Sequence, residues 1–278
     1  MKKQVALWVV AGVVAVAFSS GTQVFSNEGR SEVHPPDEFD LPVVFQAAGP
    51  NIASIQGTVD QYRLAIGDPN QGNAPGPLPD GRREINWDGG GNNSTTSPGP
   101  TPFDVFLNTR GARMTTPGTG FVQAPPAGLG DISGNPSYAD ILKTFSPLRL
   151  FSALDSNLTT VEFFIPGTNG ATAATTTGFG AVFTDVDQPD GGPGRRAGNG
   201  ASTVVKYYDV YGRLLYSGAV PSSPGDGSLS FLGIVFTDAR IAKVRIFSGN
   251  VELGRDDSRR KDVVVMDDFI YGEPKAVQ

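Results

Sequence analysis

Residues 262–272 read Asp-Val-Val-Val-Met-Asp-Asp-Phe-Ile-Tyr-Gly, an apolar run with two adjacent carboxylates in its middle. Its β-branched and aromatic residues mark a strand, and side chains alternate across a strand. Alternation gives Val263, Val265, Asp267, Phe269 and Tyr271 one face and Val264, Met266, Asp268 and Ile270 the other. Whichever face is the core, one carboxylate is expected to point at it. An unpaired buried charge costs several kcal/mol or more. The strand is therefore expected to meet a cation, several backbone N–H groups, or an arginine such as Arg82 or Arg83.

The rest of the chain repeats short apolar runs between turn residues. Gly 36 and Pro 22 punctuate it, and strands are predicted at 41–45, 81–88, 103–107, 112–115, 120–123, 148–153, 160–165, 179–185, 203–211, 213–220, 229–236, 241–247 and 263–271. Asp209-Val-Tyr-Gly212 reads as a hairpin turn. The best helix signal runs from Ile55 to Gly67. It has a capping-box pattern at Thr58-Val-Asp-Gln61, apolar Val59, Tyr62 and Ile66, and a glycine in the C-cap position. A second short helix is expected at 136–142. No helix recurs between strands, so the predicted fold is all-β: an antiparallel, jelly-roll-like β-sandwich with one or two short helices. Gly180-Ala-Val-Phe-Thr-Asp185 is echoed by Gly233-Ile-Val-Phe-Thr-Asp238, read as two similar sandwich strands entering loops.

Met1-Lys2-Lys3, the apolar run from Val5 to Phe18 and the small residues after it form a signal-peptide pattern. The run is shorter than the roughly 20 residues that span a bilayer. The expected organisation is a signal peptide at 1–26, cleaved after Ser19 or Ser26, a loose lead-in at 27–44 and a single β-sandwich domain at 45–278. Cleavage removes Lys2 and Lys3, leaving 20 of the 22 basic residues against 28 acidic ones, a net charge of −8. Such a charge opposes general affinity for nucleic acid or anionic lipid and favours cations. The Cys count is 0, so a secreted chain of this kind is held by its core, by metal, or by both.

That last point makes the acidic loops informative. Asp185, Asp187 and Asp190 offer oxygen ligands at short spacing, which suits a hard cation such as calcium; the alternative is a solvated acidic turn. Asp267 and Asp268 are the other candidate ligands, either joining the Asp185 loop around one calcium or accepting from an arginine. Asp256, Asp257 and Asp262 lie among Arg255, Arg259, Arg260 and Lys261 and read as surface pairs. Zinc lacks ligands, since His34 is the single histidine and cysteine is absent. No nucleophile elbow, phosphate loop or dinucleotide fingerprint is present, and no catalytic residue is assigned. Glu84, Asp88, Glu162 and Asp267 could supply a carboxylate pair for glycoside hydrolysis, although their spacing selects none. Trp87, Tyr207, Tyr208 and Tyr211, with Tyr216 nearby, could give an aromatic platform for sugar, or could simply pack.

The segments Gly81-Arg-Arg-Glu-Ile-Asn-Trp-Asp-Gly89, Thr144-Phe-Ser-Pro147, Gly178–Asp187, Leu229-Ser-Phe-Leu-Gly233 and Asp262–Gly272 together resemble an uncharacterised family of exported bacterial proteins. Related exported proteins often carry a Pro-Glu-Pro-type sorting tail, from which Glu273-Pro-Lys-Ala-Val-Gln278 departs. The resemblance implies a jelly-roll-like sandwich similar to carbohydrate-binding and lectin-like modules. The expected function is a secreted, non-enzymatic module that binds glycan or extracellular matrix and is stabilised by calcium. Two alternatives are a polysaccharide hydrolase and a self-assembling surface or envelope protein.

Overall fold

The computed structural model describes residues 41–89, 94–187, 202–258 and 260–277. The expected signal peptide, lead-in residues 27–40 and Asp190 lie outside them. Short β-rich segments separated by turns pair into two antiparallel sheets. The larger sheet has eight strands: β1 (Val43–Gly49), β2 (Arg82–Ile85), β3 (Ser97–Gly99), β5 (Gly120–Ala124), β6 (Leu150–Leu154), β9 (Gly178–Thr184), β12 (Leu229–Val235) and β14 (Val265–Gly272). Their order is β1-β12-β9-β14-β6-β5-β3, with β2 paired to β14. The smaller sheet has five, in the order β11 (Leu214–Ala219), β10 (Val204–Tyr208), β13 (Lys243–Phe247), β7 (Leu158–Phe163) and β4 (Ala112–Thr115). A further pair joins β8 (Ala174–Thr175) to β15 (Lys275–Ala276). The chain passes between the sheets repeatedly, as at β6–β7, β9–β10, β12–β13 and β13–β14, which is how an antiparallel sandwich is wound.

Aromatic side chains fill the space between the sheets. Trp87 stacks on Phe151 at 3.8 Å, Phe151 on Phe121 at 4.9 Å, and Phe179 meets Phe269 edge-on at 5.1 Å. The strands do not stop at one buried face, however. Every residue of β9 and β14 is buried, because helices cover the outer face of the larger sheet. Helix α1 (Ile52–Ile66) turns Ile55, Val59, Tyr62 and Ile66 onto Val182, Leu229, Phe231 and Ile270. Two shorter helices, α3 (Pro126–Ser133) and α4 (Tyr138–Ile141), bring Leu129 and Tyr138 onto Val122, Val263 and Val265. A single turn, α2 (Leu107–Arg110), follows Phe103. Cover on both faces explains why β14 reads as a continuous apolar run and does not alternate with polar residues. Among the described residues no helix is long and apolar enough to cross a membrane.

Two local expectations are corrected by the structure, and one helix was not anticipated. The helix begins earlier than Thr58 suggests, because Asn51 caps it through its side chain at 3.2 Å from the Ser54 N–H. Residues 103–107 do not form a strand: Phe103 makes one bridge to Met114 and the chain then coils into α2. Helix α3 escaped the sequence pattern because Gly128 and Gly130 interrupt it. Both glycines are buried where a Cβ would meet Thr96 Oγ1 at 2.2 Å and the Asn135 carbonyl at 2.8 Å.

Candidate functional site

Asp267 and Asp268 occupy a β-bulge. Met266 pairs with Phe183 and Phe269 with Ala181, so both aspartates stand opposite Val182. The extra residue resets the alternation. Val264 and Met266 face the inter-sheet core before it, and Phe269 and Tyr271 face that core after it. Strict alternation would have sent the two acids to opposite faces; the bulge instead turns both carboxylates to the helix-covered side. There Asp267 Oδ2 accepts from the Phe145 N–H at 2.6 Å, and Ser146 Oγ donates to Asp268 at 2.6 Å and to Asp267 at 3.3 Å. The expected arginine partner is also corrected. Arg63 of α1 reaches Asp268 at 3.6 Å and Glu84 at 2.9 Å, whereas Arg83 is buried against Glu273 at 2.6 Å and Arg82 binds Glu84 at 2.6 Å. Burial and then the neighbouring Asp268 charge hold Asp267 well above the usual carboxylate range, and burial raises Asp268 as well. The pair is thus suited to sharing a proton.

Trp87 belongs to the same unit. Its Nε1 donates to the Asp267 carbonyl at 2.8 Å, supplying the backbone partner that the bulge removes, and its positive φ of 66° ends the strand begun by β2. Trp87 is 0 % exposed, so neither face of the indole is open to a ligand. Tyr207 is likewise fully buried. Tyr208 is half-buried beneath Lys243, with 5.6 Å from Nζ to the ring centre. Tyr211 stands 81 % exposed at the hairpin tip. The four do not share a face and do not form a common platform.

A second group collects at the end of β9. Asp185, 4 % exposed and in the left-handed region at φ 68°, meets Asp187, Asp257 and Asp262. Asp185 lies near enough to Asp257 to share a hydrogen bond, and Asp262 near enough to Asp187 and Ser202. Burial first, then the other acids, pushes Asp185 up to about 9; burial also brings Asp262 to about 8 and raises Asp257. Asp185 Oδ1 and Asp262 Oδ2 are buried with no hydrogen-bond partner, a costly arrangement for carboxylate oxygens. Among the described residues, as they stand, no group of three or more Asp, Glu, His or Cys side chains is placed to hold a metal ion. Asp267 stands about 10 Å further along the sheet, at 3.3 Å per residue, so the structure does not bring it into this group. Asp257 and Asp262, expected as members of surface pairs, belong here; Asp256 alone pairs outward, with Lys261 at 2.8 Å.

No protein-family model, curated protein or solved structure matches the chain. The site is therefore read from its own geometry. A groove of about 570 Å³ lies between β2 on one side and β3 and β5 on the other, with α2 along its rim. Its one acidic lining residue among those described is Glu84, which Arg63 and Arg82 already hold. Behind Glu84, three segments far apart in the chain are joined by hydrogen bonds and an ion pair: Trp87 to Asp267, Phe145 and Ser146 to Asp267 and Asp268, and Arg63 to both Glu84 and Asp268. Arg63 and Ser146 were not identified from sequence. The spacing of Arg63 from Val59 and Tyr62 on α1 could have placed it beside the covered face, and Ser146 lies within the Thr144-Phe-Ser-Pro147 segment, to which no site role is assigned from sequence.

Proposed function

We propose that this protein is an exported β-sandwich module that binds glycan or another extracellular matrix component, with calcium holding Asp185, Asp187, Asp257 and Asp262. The observation that carries the reading is the pair of buried, unpartnered carboxylate oxygens on Asp185 and Asp262. Calcium takes six to eight oxygen ligands and tolerates irregular geometry. Side-chain rotation would bring these neighbouring acids onto one ion, which would displace protons from the raised carboxyls of Asp185 and Asp262. The cluster joins the end of β9 to the β13–β14 connection, so an ion there would fasten the crossover between the sheets. Glu84, engaged by two arginines, favours binding over hydrolysis in the groove.

Thermal unfolding in EGTA and in excess calcium tests the metal. At 100 times the dissociation constant a ligand adds about 2.7 kcal/mol, which for a domain of this size raises Tm by about 5–10 °C. Identical melting in EGTA and calcium would remove the ion from the proposal. A glycan array that shows nothing above background would remove the sugar.

A second reading, self-assembly at a surface, draws on β1. It pairs on one side only among the described strands and leaves Val43 and Val44 61 % and 38 % exposed. Light scattering that grows with protein concentration, and is suppressed by Val43→Lys, would support it.

A further inference from the structure

The groove between β2 and β5 presents two arginines that form no ion pair among the described residues, its Glu84 being held by Arg63 and Arg82. Arg149 is only 4 % exposed. Its Nη2 donates to the Gly89 carbonyl at 2.8 Å and its Nη1 lies 3.5 Å from Ser97 Oγ, while its Nε is buried without a partner. Arg110, half-buried on the rim, also has a buried, unpartnered Nε and makes no ion pair among the described residues. The nearby acids do not neutralise them. Glu84 is held by Arg63 and Arg82, and Asp88 accepts the backbone N–H groups of Leu148 and Arg149 through Oδ1 at 2.5 and 2.9 Å, its buried Oδ2 making no hydrogen bond to either arginine. A desolvated guanidinium with unmet donors is costly. Arginine's planar fork matches a carboxylate.

We propose that this groove binds an acidic saccharide, a chain bearing uronate carboxylates, with Arg149 on the floor and Arg110 on the rim receiving them. The neutral lining completes the match. Asn86, Gln123 and Thr109 offer amide and hydroxyl groups to ring hydroxyls, and Phe106 gives an apolar wall to a sugar face. A chain with one carboxylate and several hydroxyls per residue satisfies both kinds of lining. This inference rests on the binding-module reading and specifies its ligand.

The test uses the purified full chain with a β-1,4-linked glucuronate oligosaccharide and its carboxyl-reduced glucose counterpart, by isothermal titration in EGTA and again in calcium. The acidic chain is expected to bind at least tenfold more tightly than the neutral one, with affinity falling as salt rises. Arg110→Gln, at a half-exposed position, is expected to lose at least tenfold in affinity with unchanged circular dichroism; Arg149→Gln is expected to lose more. Equal binding of both oligosaccharides would overturn the acidic specificity and leave a glycan module. Unaltered affinity in Arg110→Gln would place the ligand elsewhere and overturn the site. Binding of neither, with inorganic phosphate alone raising Tm in an Arg110-dependent way, would overturn the saccharide in favour of a small anion. A response of melting to calcium is scored separately, since the aspartate group is not part of the groove.

Discussion

At the scale of single residues, Asp267 shows how a buried acid is tolerated. The bulge sets both carboxylates on one side, where the Phe145 N–H, Ser146 and Arg63 meet them. Burial raises the native pKa of Asp267 above its unfolded value, so the native state keeps a proton that the unfolded chain releases. The associated stability is complete below about pH 4 and is lost as pH rises towards the native pKa. Asp267→Asn mimics the protonated form. Urea unfolding at pH 5, 6 and 7 should show a shallower decline in the variant, by up to about 1.4 kcal/mol per pH unit. An unchanged slope would mean that Asp267 is ionised in the fold. Glu273 behaves differently, because its partner Arg83 is 0 % exposed and also donates to the Gly72 and Ala74 carbonyls at 2.8 and 2.7 Å. Removing one member of such a pair leaves the other buried and unmatched. Glu273→Ala should cost about 3–5 kcal/mol and hasten proteolysis within residues 68–80, measured by denaturation and limited digestion with proteinase K, since that segment holds no Lys or Arg for trypsin.

Between elements, the repeated Gly-x-Val-Phe-Thr-Asp segments have a joint purpose. The first supplies Gly180–Thr184 of β9 and the second Gly233–Val235 at the end of β12, antiparallel neighbours in which Gly180 pairs with Gly233. The two glycines leave a shallow seat for the Tyr62 ring of α1, whose hydroxyl donates to the Ile270 carbonyl at 3.3 Å. A Cβ at Gly233 would stand 2.7 Å from that ring, and one at Gly180 2.9 Å. Gly233→Ala should therefore destabilise by about 1–3 kcal/mol. Tyr62→Leu should recover part of that loss in the double variant, giving a coupling of at least about 0.5 kcal/mol in chemical denaturation. Additive losses would show that the seat does not couple helix to sheet. This is also where the sequence was partly legible. The apolar stripe of α1 and the glycine echo were visible separately, since each is local. Their contact joins residues far apart in the chain, and no periodicity encodes it. The bulge was hidden for a related reason: Asp267-Asp268 looks like ordinary alternation until Phe183 and Ala181 fix the register on the partner strand. Likewise Asp185 and Asp187 stood out as neighbours on one loop, whereas Asp257 and Asp262 join them only through the crossover from β13 to β14.

For the whole molecule, the acidic end of the sandwich sets stability against binding. The chain lacks cysteine, so no disulfide ties the sheets together. Instead, Asp257 and Asp262 of the crossover face Asp185 and Asp187 beyond the end of β9, where burial first and then the neighbouring acids raise Asp185 to about 9 and Asp262 to about 8. Without a cation such a group weakens the fold; with one, the same carboxylates become ligands. Asp185→Asn separates the two effects. Asparagine accepts the left-handed backbone at φ 68°, removes an acid from the cluster and is a poorer calcium ligand than a carboxylate. In EGTA the variant should melt about 2–4 °C above the parent, equivalent to about 1 kcal/mol. In excess calcium it should melt below the parent, because most of the 5–10 °C increment expected from ligand linkage is lost. A variant that melts lower in both conditions would identify Asp185 as a structural acid, whereas one that melts higher in both would show that calcium does not draw on this cluster.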